Sequence, residues 1–275
     1  MSESPTTNPA AKAQHFLDLH HSERPLLLPN PWDVGSAALL AALGFSALAT
    51  TSSGFAATLG RHDGHVTRDE ALAHAAAIAA ATDVPVSADF ENGFADAPDA
   101  VAELVTAAAG SGLAGCSIED STGRDDDPIY DLAAATDRIA AAAEAAHAGP
   151  TRVVLTARAE NYLYGRTDLA DTIARLQAYQ EAGADVLYAP GLTSAEDIRA
   201  VVSSVDRPVN VLAYRGAPPV AELAELGVSR VSIGGSFAFA AIGAVVEAAA
   251  EFREKGTYGF IELARRGSAA TGKAF

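Results

Sequence analysis

Cysteine is all but missing from these 275 residues, with Cys116 standing alone. One thiol closes no internal disulfide, which excludes a cross-linked scaffold and fits a reducing compartment. Basic residues are scarce as well: 19 Lys and Arg face 35 Asp and Glu, for a net charge of -16 and a pI near 4.7. A phosphate-tracking surface needs clustered cations, so nucleic acid and anionic membranes drop out as partners. No apolar run is long enough to span a bilayer, and Met1 to Ala13 is polar, without the apolar segment of a secretory leader. The expectation is a soluble, cytoplasmic protein. No Pro/Gly/Ser linker divides the chain, so residues 1–275 read as one domain with an ample core.

What the chain does contain is a regular alternation. Short apolar runs read as strands at 25–29, 46–51, 84–89, 115–118, 152–157, 186–188, 208–211 and 230–233. Between them lie alanine-rich stretches such as 71–81 and 133–146, and alanine is the strongest helix former. Thr67 with Glu70 has the capping-box spacing and starts one of these helices. Ser52 to Phe55 and Arg61 to Gly64 read as loop. Eight strand–helix units in about 250 residues predict a (β/α)8 TIM-type barrel over about 25–236, followed by a helical segment over about 237–268. A doubly wound open sheet is the alternative.

Chemistry in a barrel gathers where strands end. The 84–89 run ends in Asp89-Phe90-Glu91, and strand alternation turns both carboxylates to one side. Two close carboxylates either share a proton or hold a cation between them, and a hard divalent ion, Mg2+ or Mn2+, suits oxygen donors. The same residues also fit an N-cap and loop charge ahead of the helix near Pro98. Ser53 and Gly54 follow the second strand, Glu119 ends the fourth and Arg158 the fifth. Any one of these fits a solvated loop; convergence of all of them on one mouth is harder to attribute to loops. Other candidates are Gly234-Gly235-Ser236 as a phosphate turn, His62 and His65 beside Asp63, and Tyr162 and Tyr164 as pocket walls. Each has a plain alternative as a tight turn, a solvated residue or a packing residue. Trp32 reads as a space filler.

These motifs, Ser53-Gly54, Gly60-Arg61-His62-Asp63-Gly64, Ala88 to Phe94, Ser117-Ile118-Glu119-Asp120 and Thr156-Ala157-Arg158, resemble those of the isocitrate lyase/phosphoenolpyruvate mutase superfamily. The resemblance spans roughly Pro25 to Phe237. It implies a barrel whose last helix is exchanged with a neighbouring subunit, in a homotetramer built as a dimer of dimers. It also implies Mg2+ held directly by Asp89 and through water by Asp63, Glu91 and Glu119. A small 2-oxo or 2-hydroxy mono- or dicarboxylic acid would chelate that ion, with a carboxylate on the backbone N–H groups around Ser53, Gly54 and Phe55. Arg158 would stabilise enolate charge, with Asp89 the other catalytic residue, and the Asn210 amide would complete the pocket. The implied activity is C–C cleavage through an enolpyruvate-like intermediate. C–P chemistry of the phosphoenolpyruvate mutase or phosphonopyruvate hydrolase kind, and a catalytically weak 2-oxo-dicarboxylate binder, are the alternatives. The loop Ser121 to Pro128 has neither the Cys nor the His found in the lyases of this superfamily, which leaves the general acid/base unassigned.

Overall fold

The computed structural model describes residues 8–275. Of the polar stretch Met1–Ala13, residues 1–7 lie outside the described part. Eight strands form one parallel sheet: β1 (Leu26–Leu28), β2 (Leu48–Ala49), β3 (Val86–Asp89), β4 (Gly115–Glu119), β5 (Val154–Arg158), β6 (Val186–Tyr188), β7 (Val209–Leu212) and β8 (Arg230–Ser232). Their order, β1-β8-β7-β6-β5-β4-β3-β2, wraps into a nearly closed (β/α)8 barrel. β2 shares no ladder with β1. The seam is instead bridged where Ala49 N–H donates to the Pro29 carbonyl (3.1 Å) and Asn30 Nδ2 to the Thr50 carbonyl (2.9 Å).

The helices are α1 (Pro9–Leu19), α2 (Val34–Ala42), α3 (Ser52–Thr58), α4 (Arg68–Ala80), α5 (Pro98–Ala109), α6 (Leu132–His147), α7 (Leu169–Glu181), α8 (Ala195–Ser204), α9 (Val220–Glu225), α10 (Ser236–Lys255) and α11 (Ile261–Ala274). Thr67 and Glu70 form the predicted capping box of α4. The helix α3 corrects the expected loop at Ser52 to Phe55. The Thr51 side chain caps it, accepting from Gly54 N–H, and the Ser52 amide is satisfied by Asp89. No described helix is long and apolar enough to cross a membrane.

Outward-facing strand residues such as Leu48, Val86, Cys116 and Leu155 pack with the helices in one large buried cluster. A second, smaller cluster fills the barrel's lower end, where Phe16 of α1 plugs it beneath Leu26, Leu28, Val154 and Val186. Gly115 admits that plug: a Cβ there would lie 2.7 Å from the Val154 carbonyl and 2.9 Å from Phe16.

The register explains how the interior is graded. Parallel partners face the same way, so Glu119, Arg158, Tyr188, Asn210, Arg230 and Leu26 form one continuous row. Strand stagger in a barrel makes such a row descend. Arg158 closes β5 at the rim, whereas Arg230 opens β8 near the floor.

Candidate active site

A cavity of about 190 Å3 opens at the C-terminal ends of the strands. Its walls include Ser53, Asp63, Asp89, Ser117, Arg158, Tyr188, Arg230 and Ser232.

Asp89 is held on all sides. Its amide donates to Thr50 Oγ1 (2.8 Å), its Oδ2 accepts from Ser52 N–H (3.1 Å), and its Oδ1 lies 2.9 Å from Arg158. Arg158 in turn reaches three carboxylates, donating through one terminal nitrogen to Asp89, through the other to Glu119 (3.1 Å) and through Nε to Glu160 (2.8 Å). Burial works against the guanidinium charge, but Glu160, Glu119 and Asp89 outweigh it and hold Arg158 protonated. Its guanidinium also lies 5.2 Å from the Tyr188 ring centre, close enough for a cation–π contact.

Acid exceeds base at this rim. Burial, then repulsion from Asp89, Asp63 and Glu119, pushes the Glu91 carboxyl up to about 8. Asp63 is raised by burial and by Asp89. Glu119 is raised chiefly by burial, with Arg158 opposing. Carboxylates that repel one another in a half-dry site favour a bound cation. Among the described residues, no three His, Cys, Asp or Glu side chains converge as a direct cage. An all-oxygen set with few direct ligands suits Mg2+, which keeps several waters, better than a soft or caged metal.

The loop that carries Glu91 is held in a tense conformation. Glu91 and Phe94 have positive φ, 48° and 56°, a region that non-glycine residues occupy at a cost. The buried Arg138 of α6 clamps the loop by donating to the carbonyls of Asn92, Ala95 and Asp96. Behind Arg158, buried Asp120 accepts from the Glu160 amide (2.8 Å), Tyr179 Oη (2.6 Å) and Arg175 (3.1 Å).

The residues singled out in the sequence are distributed unevenly. Asp63, Asp89, Arg158 and Ser53 line the cavity, and Glu91 and Glu119 sit within electrostatic reach of Asp89. Gly54 lies behind the wall, where a Cβ would meet Thr51, Trp32 and Ala238 at 2.6–3.2 Å. The Phe55 ring stacks on His74, 3.7 Å between centres. The amides of Gly54 and Phe55 are both bonded to Thr51, so Ser53 alone offers an uncommitted amide there among the described residues. Asn210 is buried one layer down, accepting from Arg230 Nε and donating to Ser232 (both 2.9 Å). His62 and His65 are exposed outside the cavity, whereas Gly234 and Gly235 belong to its wall. Cys116 is buried in β4, its thiol pushed up to about 12 by burial.

Sequence reading overlooked Asn30, Glu160 and Arg230. Glu160 had a usable signal, since it stands two residues beyond Arg158 and so shares its side.

Comparison with known proteins identifies the relatives of this chain. The phosphoenolpyruvate phosphomutase family profile matches residues 16–253. An uncharacterized Mycobacterium tuberculosis protein is 39% identical over 80% of this chain and 81% of its own. The 2-methylisocitrate lyase of Escherichia coli is 30% identical over 77% of this chain and 73% of its own. A solved structure from Burkholderia cenocepacia J2315 superposes with a TM-score of 0.90 at 54% identity, covering 92% of each chain. Phosphonopyruvate hydrolase, solved with oxalate and Mg2+, gives 0.81 at 26% identity over 92% of this chain and 90% of its own. With an acidic rim around one arginine at the mouth of an eight-stranded barrel, and a family match over most of its length, the chain belongs to the isocitrate lyase/phosphoenolpyruvate mutase superfamily of lyases and mutases.

Proposed function

We propose that this enzyme is a Mg2+-dependent lyase that cleaves a C–C bond of a small 2-oxo or 2-hydroxy carboxylic acid through an enolate. The observation that carries this reading is Arg158, fixed by three carboxylates at the cavity mouth beside Asp89. In this reading Asp89 holds the ion directly, and Asp63, Glu91 and Glu119 hold its waters. When bound, Mg2+ supplies a Lewis acid for the substrate's 2-oxygen.

The chain's own groups do the rest. The Ser53 amide receives the substrate carboxylate. Arg158 presents a fixed positive charge to the oxygen on which enolate charge grows, and electrostatic help of this kind needs no reorganisation during reaction. Glu160 and Glu119 orient that guanidinium, because a planar fork gripped at three nitrogens has little freedom to turn. The cavity of about 190 Å3 suits a small acid.

C–P chemistry gains no anchor for a phosphonyl group from the loop arginines at the rim. The two basic residues nearest that role in sequence, Arg124 and Arg166, are half-exposed and pair with Asp96 and Asp127 outside the cavity wall. The exposed apolar side of α10, with Phe239, Ile242, Val245 and Val246, is in this reading covered by a second copy of the chain, in a dimer of dimers.

Enolate formation is testable without knowing the natural substrate. Pyruvate in D2O with Mg2+ should exchange its methyl protons faster with the enzyme than without it. A screen of oxaloacetate, 2-methylisocitrate and phosphonopyruvate then ranks C–C against C–P cleavage. Neither exchange nor turnover, with intact metal and oxo-acid binding, would make the protein a binder instead.

A further inference from the structure

The cavity has a second cation, and its surroundings differ from those of the first. Arg158 at the rim faces three carboxylates, whereas Arg230 on the floor has only neutral partners. Its Nε donates to Asn210 Oδ1 (2.9 Å), and one terminal nitrogen donates to Thr156 Oγ1 (3.1 Å) and to His20 Nε2 (3.2 Å). The direction of that last bond is fixed from the other side of the ring. His20 Nδ1 lies 2.7 Å from the Phe16 carbonyl, which only accepts, so Nε2 carries the lone pair. The other terminal nitrogen of Arg230 has no protein acceptor among the described residues, and the residue lines the cavity wall.

A guanidinium that is only 4% exposed is costly to keep charged with neutral ligands alone. Burial, opposed by Tyr188 and reinforced by Arg158, depresses its proton affinity to about 10, still well above neutrality. Among the described residues no carboxylate pairs with it. The remaining source of negative charge is whatever enters the cavity.

We propose that Arg230 receives a second carboxylate of the substrate, so that the enzyme selects 2-oxo or 2-hydroxy dicarboxylates over the corresponding monocarboxylates. The acid head stays at the rim, as the proposed function requires, and the tail carboxylate descends to the floor beside Ser232 and Tyr188. This rests on that reading for the head group and adds the tail. Asn210 and His20 act as positioning residues, holding the guanidinium from below and leaving one edge for the ligand. The planar fork at that edge matches a carboxylate in a way an ammonium does not.

The test compares two acids that differ only in the tail. Oxaloacetate and pyruvate are titrated calorimetrically into the full-length protein with Mg2+, in the cold and with fresh oxaloacetate. Wild type is expected to bind oxaloacetate at least about tenfold more tightly, the scale of a desolvated charge contact. Arg230→Gln should erase that margin and leave pyruvate affinity unchanged, while Arg230→Lys keeps part of it. Equal affinity for the two acids in wild type, a measurement that needs no variant, overturns the proposal; so does a margin that survives Arg230→Gln. Failure of both acids to bind with Mg2+ overturns the rim reading, and this extension with it. Equal binding of both acids removes the tail site alone.

Discussion

Nε of Arg158 donates to Oε1 of Glu160 at 2.8 Å, two residues further along the same chain direction. Glu160 is buried, which raises its carboxyl, while the Arg158 guanidinium against it pulls the other way. The contact fixes the roll of the guanidinium, which the two rim carboxylates Asp89 and Glu119 fix only at its far end. Glu160→Gln keeps the size and loses the charge. It should lower kcat/KM by about ten- to a hundredfold, in the range of supporting contacts in catalytic sites, with the fold unchanged by circular dichroism. A loss of activity matched by a loss of folded protein would count against orientation as its role.

Asp120 ties three elements together behind that pair, accepting from Tyr179, Arg175 and the Glu160 amide. Asp120→Asn removes the charge that Arg175 faces in a buried place. Urea unfolding should show a loss of about 3 kcal/mol, within the range for breaking a buried pair. An unchanged midpoint would mean that Asp171, the other partner of Arg175, suffices.

His20 gives the pH dependence a definite sign. Burial, then Arg230, lowers its pKa from 6.5 to about 3. The unfolded chain takes up a proton below pH 6.5 and the native state does not until about pH 3, so this residue's contribution is full above 6.5 and is lost as pH falls. Raised carboxylates such as Glu91 act in the opposite sense, so the readout is a difference. The stability gap between wild type and His20→Gln should shrink by up to about 3 kcal/mol from pH 7 to pH 4, at about 1.4 kcal/mol per pH unit. A constant gap would contradict a neutral His20 in the native state.

The outer face of α10 exposes Val245 and Val246 at 67% and 62%, with Ile242 one turn away. Contiguous exposed apolar residues mark interaction surfaces. Light scattering should find a dimer or tetramer for wild type and smaller species for Val246→Asp. A monomeric wild type would remove the proposed second copy.

Much of this was legible before any coordinates. The eight strands and the α4 cap followed from apolar runs bounded by turns and from one Thr–Glu spacing. Asp89, Glu119 and Arg158 were visible because the rule for barrels points to strand ends. Helix α3 escaped because Ser-Ser-Gly-Phe has loop chemistry on its own, and its cap and first amide are satisfied by Thr51 and by Asp89, 37 residues away. Arg230 escaped for a topological reason. It opens its strand rather than ending it, and only the stagger of the barrel brings the floor of β8 into the same cavity as the rim of β5.

The central claim is that Asp89 and its neighbours hold a divalent ion on which an oxo acid is read. The most direct measurement is calorimetric titration of Mg2+, with and without oxalate, into wild type and Asp89→Ala. The account predicts saturable binding strengthened by oxalate in wild type and lost in the variant, which stays folded. Binding that is equal in both proteins, or indifferent to oxalate, would contradict it.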